Sequence, residues 1–361
     1  MCCRVLVMKA FLLNGVTRCK NIKNLGLCLA CLLSVNCWVN VHAADFVVGN
    51  ISYDVVSMSD LTCEVAVGTQ HVNTVLEIPA TVTFKNRTFT VIGVGDWACK
   101  EKGISRLILP EGLQYIGERA FESNALSKIV IPSTVTTIKP MAFRWNNVTA
   151  EQVGIAKWRT VYLPIELILE DSNEELVGYK DELYNWMPFK DCNLEKIYIG
   201  RNINKELISD QIVSYTKEIE IGDNVKELTT SHIKYNPFSH FSALQKVVIG
   251  KGLRTVPYFD EVDVLREVYV KSATPQYSEG FNDATYLNGV LYVPKGSKSV
   301  YEQTEPWSNF WEIQEWEPTG IDNIVTDQQY ENAPSFNLSG RIIDKSYKGI
   351  TVKKGKKYIK R

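Results

Sequence analysis

Val94-Gly-Asp-Trp-Ala-Cys-Lys-Glu-Lys-Gly-Ile-Ser-Arg-Leu-Ile-Leu-Pro-Glu-Gly-Leu113 aligns without a gap to Ile116-Gly-Glu-Arg-Ala-Phe-Glu-Ser-Asn-Ala-Leu-Ser-Lys-Ile-Val-Ile-Pro-Ser-Thr-Val135. Val94, Ile116 and Ile138 recur every 22 residues, as do Ala98, Ala120 and Ala142, and then Cys99, Phe121 and Phe143. Leu107 and Ile129, Leu109 and Ile131, and Pro110 and Pro132 continue the register. Unrelated globular sequence rarely holds so many columns in phase. A fixed period of roughly 20–50 residues marks a repeat architecture.

Each repeat has a physical reading. In Ser105–Pro110 and Lys128–Pro132 apolar residues alternate with a second set, the period of a short strand. Leu107, Leu109, Ile129 and Ile131 then point inward, and Pro110 and Pro132 end the strands by removing a ladder donor. The Ala column lets neighbouring coils approach, and the Phe column fills the interior. One coil cannot bury its apolar face alone, whereas stacked coils form a continuous core.

Outward from this pair the repeat degenerates but keeps its strand. Leu194-Glu-Lys-Ile-Tyr-Ile-Gly200, Glu218-Ile-Glu-Ile-Gly222, Gln245-Lys-Val-Val-Ile-Gly250 and Arg266-Glu-Val-Tyr-Val270 carry it, with steps of 22, 28 and 21 residues between Ile199, Ile221, Ile249 and Val270. Val161-Tyr-Leu-Pro164 is a further strand candidate between insertions. Ser172 with Glu175 forms a capping box that opens a helix with Leu176, Tyr179, Leu183 and Trp186 on one face. A second short helix is expected over Lys205–Val213. Asp45–Val67 alternates as a cap over the first coil, and Val82–Phe84 with Thr88–Val91 reads as a hairpin turning at Lys85-Asn86-Arg87. At the other end, Leu291–Pro294 and Gly296–Tyr301 suggest strand, turn and capped helix, with Trp307, Phe310 and Trp311 covering the last coil.

Ile116-Gly-Glu-Arg-Ala-Phe121 followed by Leu126-Ser-Lys-Ile-Val-Ile-Pro132 resembles the BspA-type leucine-rich repeats of bacterial cell-surface proteins. Leu291-Tyr-Val-Pro-Lys-Gly-Ser297 is similar to the last repeat of such proteins, and Asp45-Phe-Val-Val-Gly-Asn-Ile-Ser-Tyr53 to their mature N-terminus. The resemblance implies a mainly β repeat solenoid with short helices: a right-handed leucine-rich-repeat coil with one short parallel strand per repeat of about 22 residues. It also implies adhesion or another binding role. The expected organisation is an export signal at 1–43, a β cap at 44–81 and the solenoid at 82–316 with an insertion at about 144–192. A polar linker at 317–334 and a basic β module at 335–361 follow. Phe336–Arg341 and Lys348–Lys357 make that module similar to the sorting domains of type IX secretion, although it is short and unusually basic; a small β-hairpin with solvated lysines is the alternative.

The formal net charge of −1 conceals an asymmetry. The first 43 residues hold five basic side chains and no acid, residues 341–361 carry +8, and the body between them carries −14. Lys20 and Lys23 precede an apolar run from Leu25 to Val35, and Val41-His42-Ala43 offers a small-residue cleavage pattern. The run is shorter than the ~20 residues of a membrane-spanning helix. Translation from Met8 and a lipid anchor on Cys28, Cys31 or Cys37 are open alternatives. Six of nine cysteines lie in this leader, leaving Cys63, Cys99 and Cys192, which make no disulfide framework.

Motifs of catalysis are absent from the sequence: no phosphate-cradling glycine loop, zinc-protease helix or Gly-x-Ser-x-Gly elbow occurs. His71, His232 and His240 lack ligand partners at metal spacing, and Cys99 occupies a Phe column, so neither cofactor nor metal is expected. The basic tail has no interleaved aromatics for nucleic acid. Strand positions between the inward residues are expected to share one solvent-facing sheet surface: Arg106, Ile108, Lys128, Val130, Lys196, Tyr198, Glu218, Glu220, Lys246, Val248, Glu267 and Tyr269. Such a mixed face suits a host or bacterial surface protein, or a glycan. Trp145, Trp158 and Trp186 either stack on sugar rings or bury the insertion. Three function classes follow: an exported recognition protein, a carbohydrate-binding accessory protein, and a cysteine-dependent hydrolase.

Overall fold

Alternating apolar residues make each repeat's strand, and the strands pair in parallel because every coil winds the same way. The computed structural model describes residues 43–70, 74–154, 157–207, 215–228, 241–259 and 262–317, with strands between 335 and 360. The chain divides into Met1–Asp45, of which residues 43–45 are described, and Phe46–Arg361. The expected signal, all four histidines and residues 208–213 of the second expected helix lie outside the described residues, and residues 205–207 form a turn.

A long ladder runs Lys128–Ile131, Pro164–Leu169, Asn193–Ile199, Glu218–Ile221, Lys246–Ile249, Glu267–Val270, Val290–Pro294 and Glu312–Trp316, each strand parallel to the next. Ile129, Leu167, Ile197, Ile219, Val247, Val268, Leu291 and Ile313 are in direct register and all buried. They belong to one contiguous core, against which Leu107 and Leu109 pack half-buried. This is a repeat solenoid. The Val94, Ile116 and Ile138 column is a strand column of its own: Arg87–Val94, Tyr115–Ile116, Thr137–Ile138 and Val177–Gly178 form a second, short parallel ladder. A coil in this stretch therefore carries two strands rather than the single one expected.

Between the two ladders runs a turn whose backbone bonds coil to coil. Cys99 N–H donates to the Ala120 carbonyl (2.8 Å), Phe121 N–H to Ala142 (2.7 Å) and Phe143 N–H to Pro188 (2.9 Å). Ala98, Ala120 and Ala142 are buried. Phe121, Phe143 and Phe189 stack face to face with centroids 5.3 Å apart at each step. Three residues beyond each Phe stands a polar side chain that serves two coils. Asn124 Nδ2 donates to the Cys99 and Phe121 carbonyls (2.9 Å each), and Asn146 Nδ2 to those of Phe121 (2.9 Å) and Phe143 (2.7 Å). Cys192 takes this place in the next coil, its Sγ donating to the Phe143 carbonyl at 3.1 Å. Coils approach so closely after the long strand that a Cβ at Gly250 would collide with the Gly222 carbonyl oxygen.

Several expectations change. Val161 and Tyr162 belong to an antiparallel hairpin, Val148–Gly154 with Lys157–Tyr162, and the ladder strand begins only at Pro164. No helix follows Ser172. Its Oγ accepts from Glu174 N–H, Val177 and Tyr179 N–H donate to the Thr136 and Ile138 carbonyls, and Leu176 bridges Ile203. The short ladder thus claims the backbone that a helix would need; Leu176 is buried while Tyr179 and Leu183 are exposed. Arg106–Ile108 lies outside the long ladder and pairs in parallel with Val75–Glu77.

The caps close both ends of the core. Phe46–Val48, Ile51–Ser57 and Thr62–Val65 form an antiparallel meander whose last strand pairs in parallel with Arg87–Val94. Thr81–Phe84 pairs antiparallel with the same strand through a two-residue turn, with Lys85 and Asn86 at φ 45° and 63°, the left-handed pair that matches hairpin twist. At the C-terminal end, helix α1 (Asp283–Asn288), helix α2 (Lys298–Tyr301) and a 3₁₀ turn at Trp307–Asn309 bury Tyr301 and Trp307 completely and Phe310 nearly so. Trp311, expected to cover the last coil, points outward and is 82% exposed, while Phe310 before it and Ile313 after it are buried. The strands 335–337, 342–343, 349–353 and 356–360 form a four-stranded antiparallel sheet with Ser335–Asn337 and Gly349–Lys353 central.

Asn146→Ala leaves the Phe121 and Phe143 carbonyls without this donor in a sealed interior. The expected loss is about 2–3 kcal/mol of unfolding free energy, to be read from the urea denaturation midpoint.

Candidate binding surface

The long ladder's solvent face is built by the register of its interior. Because Ile129, Leu167, Ile197, Ile219, Val247 and Val268 align inside, the residues just before them align outside: Lys128, Glu166, Lys196, Glu218, Lys246 and Glu267. The second row is Val130, Ile168, Tyr198, Glu220, Val248, Tyr269 and Tyr292. Ten of the twelve residues singled out in the sequence thus fall on one sheet, joined by Glu166 and Ile168 from the strand that sequence reading misplaced. Arg106 and Ile108 do not: their strand forms a separate two-stranded sheet with Val75–Glu77, beside the ladder's first strand but not bonded into it. Val248 is not a solvent-facing position: it is buried, shaded by Glu220 and Tyr269, the longer side chains on either side.

The first row alternates strictly in sign, and its first four members form two cross-strand ion pairs. Lys128 Nζ lies 2.8 Å from Glu166 and Lys196 Nζ 2.9 Å from Glu218, while Lys246 Nζ sits 4.9 Å above the Tyr269 ring. Opposite charges on adjacent strands stabilise the pairing by roughly 0.2–1 kcal/mol per pair. In the second row, Tyr198 Oη donates to Asp171 (2.9 Å), Lys271 pairs with Glu220, and Tyr269 stacks on Tyr292 at 4.3 Å with Trp316 edge-on at 5.0 Å. Burial, and then the carboxylate it bonds, push the Tyr198 hydroxyl's pKa up, so it remains a donor. Where strands begin, a shallow depression of about 380 Å³ is lined by Glu218, Gln245, Lys246, Val264, Arg266 and Glu267.

A second assembly lies on the turn. The Trp97 ring is flanked by Lys100 Nζ and the Arg119 guanidinium, each 4.6 Å from its centroid. The Arg144 guanidinium lies between Trp145 (3.7 Å) and Trp186 (4.2 Å), and Tyr184 stacks on Trp186 at 4.8 Å. Glu122, 1% exposed, faces Lys100 (3.0 Å), Arg119 (3.1 Å) and Arg144 (3.5 Å), and Arg144 also meets Asp191 (3.0 Å). Trp145 and Trp186 are therefore engaged with an arginine, whereas Trp158 stands 66% exposed on the Lys157–Tyr162 strand. Sequence reading missed Trp97, Glu122 and Arg144, although Lys100, Glu122 and Arg144 hold the 22-residue register that would have placed them in one column.

A family model described as "BspA type Leucine rich repeat region (6 copies)" matches residues 80–152. The repeat in those residues is of the BspA type. No curated protein matches the chain. Among solved structures, the leucine rich repeat protein of T. pallidum is similar at 14% identity and TM-score 0.32, over 67% of this chain and 84% of that one. A leucine-rich repeat protein of Bacteroides ovatus matches at 19% identity and TM-score 0.22, over 71% and 87%. The pneumococcal vaccine antigen PcpA matches at 15% identity and TM-score 0.23, over 75% and 98%.

The described residues include no group of His, Cys, Asp or Glu placed to hold a metal ion. Their thiols are interior groups: Cys63, Cys99 and Cys192 are buried and unpaired by disulfide. Burial pushes the Cys63 thiol up to about 11 and those of Cys99 and Cys192 up to about 12.

Lys196→Glu sets three carboxylates side by side at residues 166, 196 and 218. A loss of about 1 kcal/mol is expected, partly recovered in high salt because the sites are solvated; urea denaturation at two ionic strengths measures both.

Proposed function

We propose that this chain is an exported recognition protein, secreted or held at the cell surface, that binds a host or bacterial surface protein through the solvent face of its long ladder. One observation carries the reading: eight parallel strands in one ladder offer a preformed, continuous face, with a depression where several of its charged residues converge. A rigid face loses little freedom on association, and tyrosines are favoured at the energetic centres of interfaces. Because its lysines and glutamates already neutralise one another, the charges select partners rather than supply most of the affinity. Export rests on the basic and apolar pattern before residue 44. Among the described residues no helix is long and apolar enough to cross a membrane.

The test is capture of partner proteins from surface extracts, followed by titration with Lys246→Gln and Tyr269→Ala. At least a tenfold weakening with an unchanged unfolding midpoint is expected for each. Equal affinity in wild type and both variants counts against the sheet face.

A second reading, a carbohydrate-binding accessory protein, is favoured by the exposure of Trp158 and by Trp145, 41% exposed with one ring face on Arg144. Loss of glycan-array signal in Trp145→Ala or Trp158→Ala would support it. The reading assigns no catalytic role, and a cysteine-dependent hydrolase is addressed by labelling. Native protein treated with a maleimide at neutral pH should show no adduct on Cys63, Cys99 or Cys192 by peptide mass spectrometry, and full adducts in denaturant. The sign of the linkage agrees. The folded thiols titrate above the ordinary value of 9, so their contribution to stability is intact below that pH and falls as pH climbs toward about 11 to 12.

A further inference from the structure

Trp311 differs from the two tryptophans around it. The Trp307 indole N–H donates to the Gln276 carbonyl (2.8 Å) and that of Trp316 to the Val270 carbonyl (3.2 Å). Among the described residues the Trp311 indole has no hydrogen-bond partner, no ring and no cation against it, and it is 82% exposed, more than any other large apolar side chain described. It is held in place all the same: its backbone N–H donates to the Tyr286 carbonyl at 3.0 Å, immediately before the last ladder strand.

Beside it is a concavity of about 270 Å³ lined by Asp283, Tyr286, Leu287, Asn309 and Trp311. Its floor is rigid. Tyr286 packs edge-on against Phe281 (5.9 Å) and Phe310 (5.1 Å), and its hydroxyl accepts from Phe281 N–H (2.9 Å). The α1 helix is capped by Asn282, whose Oδ1 accepts from Thr285 N–H (2.9 Å). Asp283 on its first turn makes no hydrogen bond or ion pair among the described residues.

We infer that this concavity binds one pyranose unit of a glycan. The lining combines a flat, unshielded indole, whose face suits the C–H side of a sugar ring, with an unpaired carboxylate, which suits its hydroxyls, and the Asn309 amide, which already bonds the Tyr286 hydroxyl and keeps further donor and acceptor capacity. A volume just below the ~300 Å³ of the smallest drug-sized sites fits a single sugar rather than a folded partner. No basic side chain lines it, so an acidic sugar or a phosphate is disfavoured. None of the residues of the sheet-face rows lines the site, nor do Trp145 and Trp158, and it can fail or stand without those readings.

The experiment is a glycan array of neutral hexose, pentose and N-acetylhexosamine oligosaccharides probed with the full chain, then calorimetric titration of the strongest oligosaccharide. Binding that weakens at least tenfold in Trp311→Ala and several-fold in Asp283→Asn, with Trp158→Ala and Lys246→Gln unchanged, is the expected result. Both substituted side chains are exposed, and an unchanged unfolding midpoint excludes misfolding. Absence of binding across the array overturns the assignment. So does binding that Trp311→Ala leaves intact, in which case loss in Trp158→Ala would move glycan recognition to the hairpin, and loss only in Lys246→Gln would move it to the sheet.

Discussion

Each coil turns with its carbonyls directed into the interior, where no water can reach them. Asn124, Asn146 and then Cys192 answer this by donating to carbonyls of the turn, the two asparagines bonding two coils at once. A buried acceptor left alone costs about 1–3 kcal/mol, so this column sets the stacking distance and the phase of one coil on the next. It also holds non-glycine residues in the left-handed region, with Trp97 at φ 64°, Arg119 at 53° and Met141 at 57°. A conformation that costs roughly 1–2 kcal/mol per residue recurs because the backbone bonds between turns are made only in that shape. The alanine column and the stacked Phe rings follow from the same spacing.

The outer surface inherits its order from the inner one. Side chains alternate across a strand, so aligning Ile129, Leu167, Ile197 and Ile219 inside necessarily aligns Lys128, Glu166, Lys196 and Glu218 outside. Charges spaced by one strand separation would repel if they were alike. Alternating sign converts the row into cross-strand pairs. A partner meeting this face encounters a nearly neutral, ordered surface in which tyrosines and aliphatic side chains sit beside paired charges.

Elaborations fall where they disturb this order least. The Val148–Tyr162 hairpin and helix α1 both occupy the junction between a turn and the next ladder strand. Chain added there bulges from the edge of the coil without entering the column of interior side chains. Those two insertions carry the freely exposed Trp158 and one wall of the concavity beside Trp311. The stacked coils supply rigidity, and the junctions supply variety.

Sequence alone determined the repeat, its period, the identity of the interior columns and the cap hairpin at Lys85-Asn86, because each of these rests on local alternation or on phase that a single chain displays. It also aligned ten residues of the outer sheet face, from Lys128 to Tyr269, although it missed Glu166 and Ile168 and took buried Val248 for a solvent-facing one. What it misread were segments whose local pattern competed with a distant partner. Leu176 and Tyr179 suggested a helix face, but the carbonyls of Thr136 and Ile138, some forty residues earlier, claim that backbone. Only tertiary structure decided that Arg106 pairs with Val75, that Pro164–Leu169 supplies the missing ladder strand, and that Trp97, Arg119, Trp186, Arg144 and Trp145 interleave. Those contacts join residues far apart along the chain, and their geometry exists only once successive coils have closed on one another.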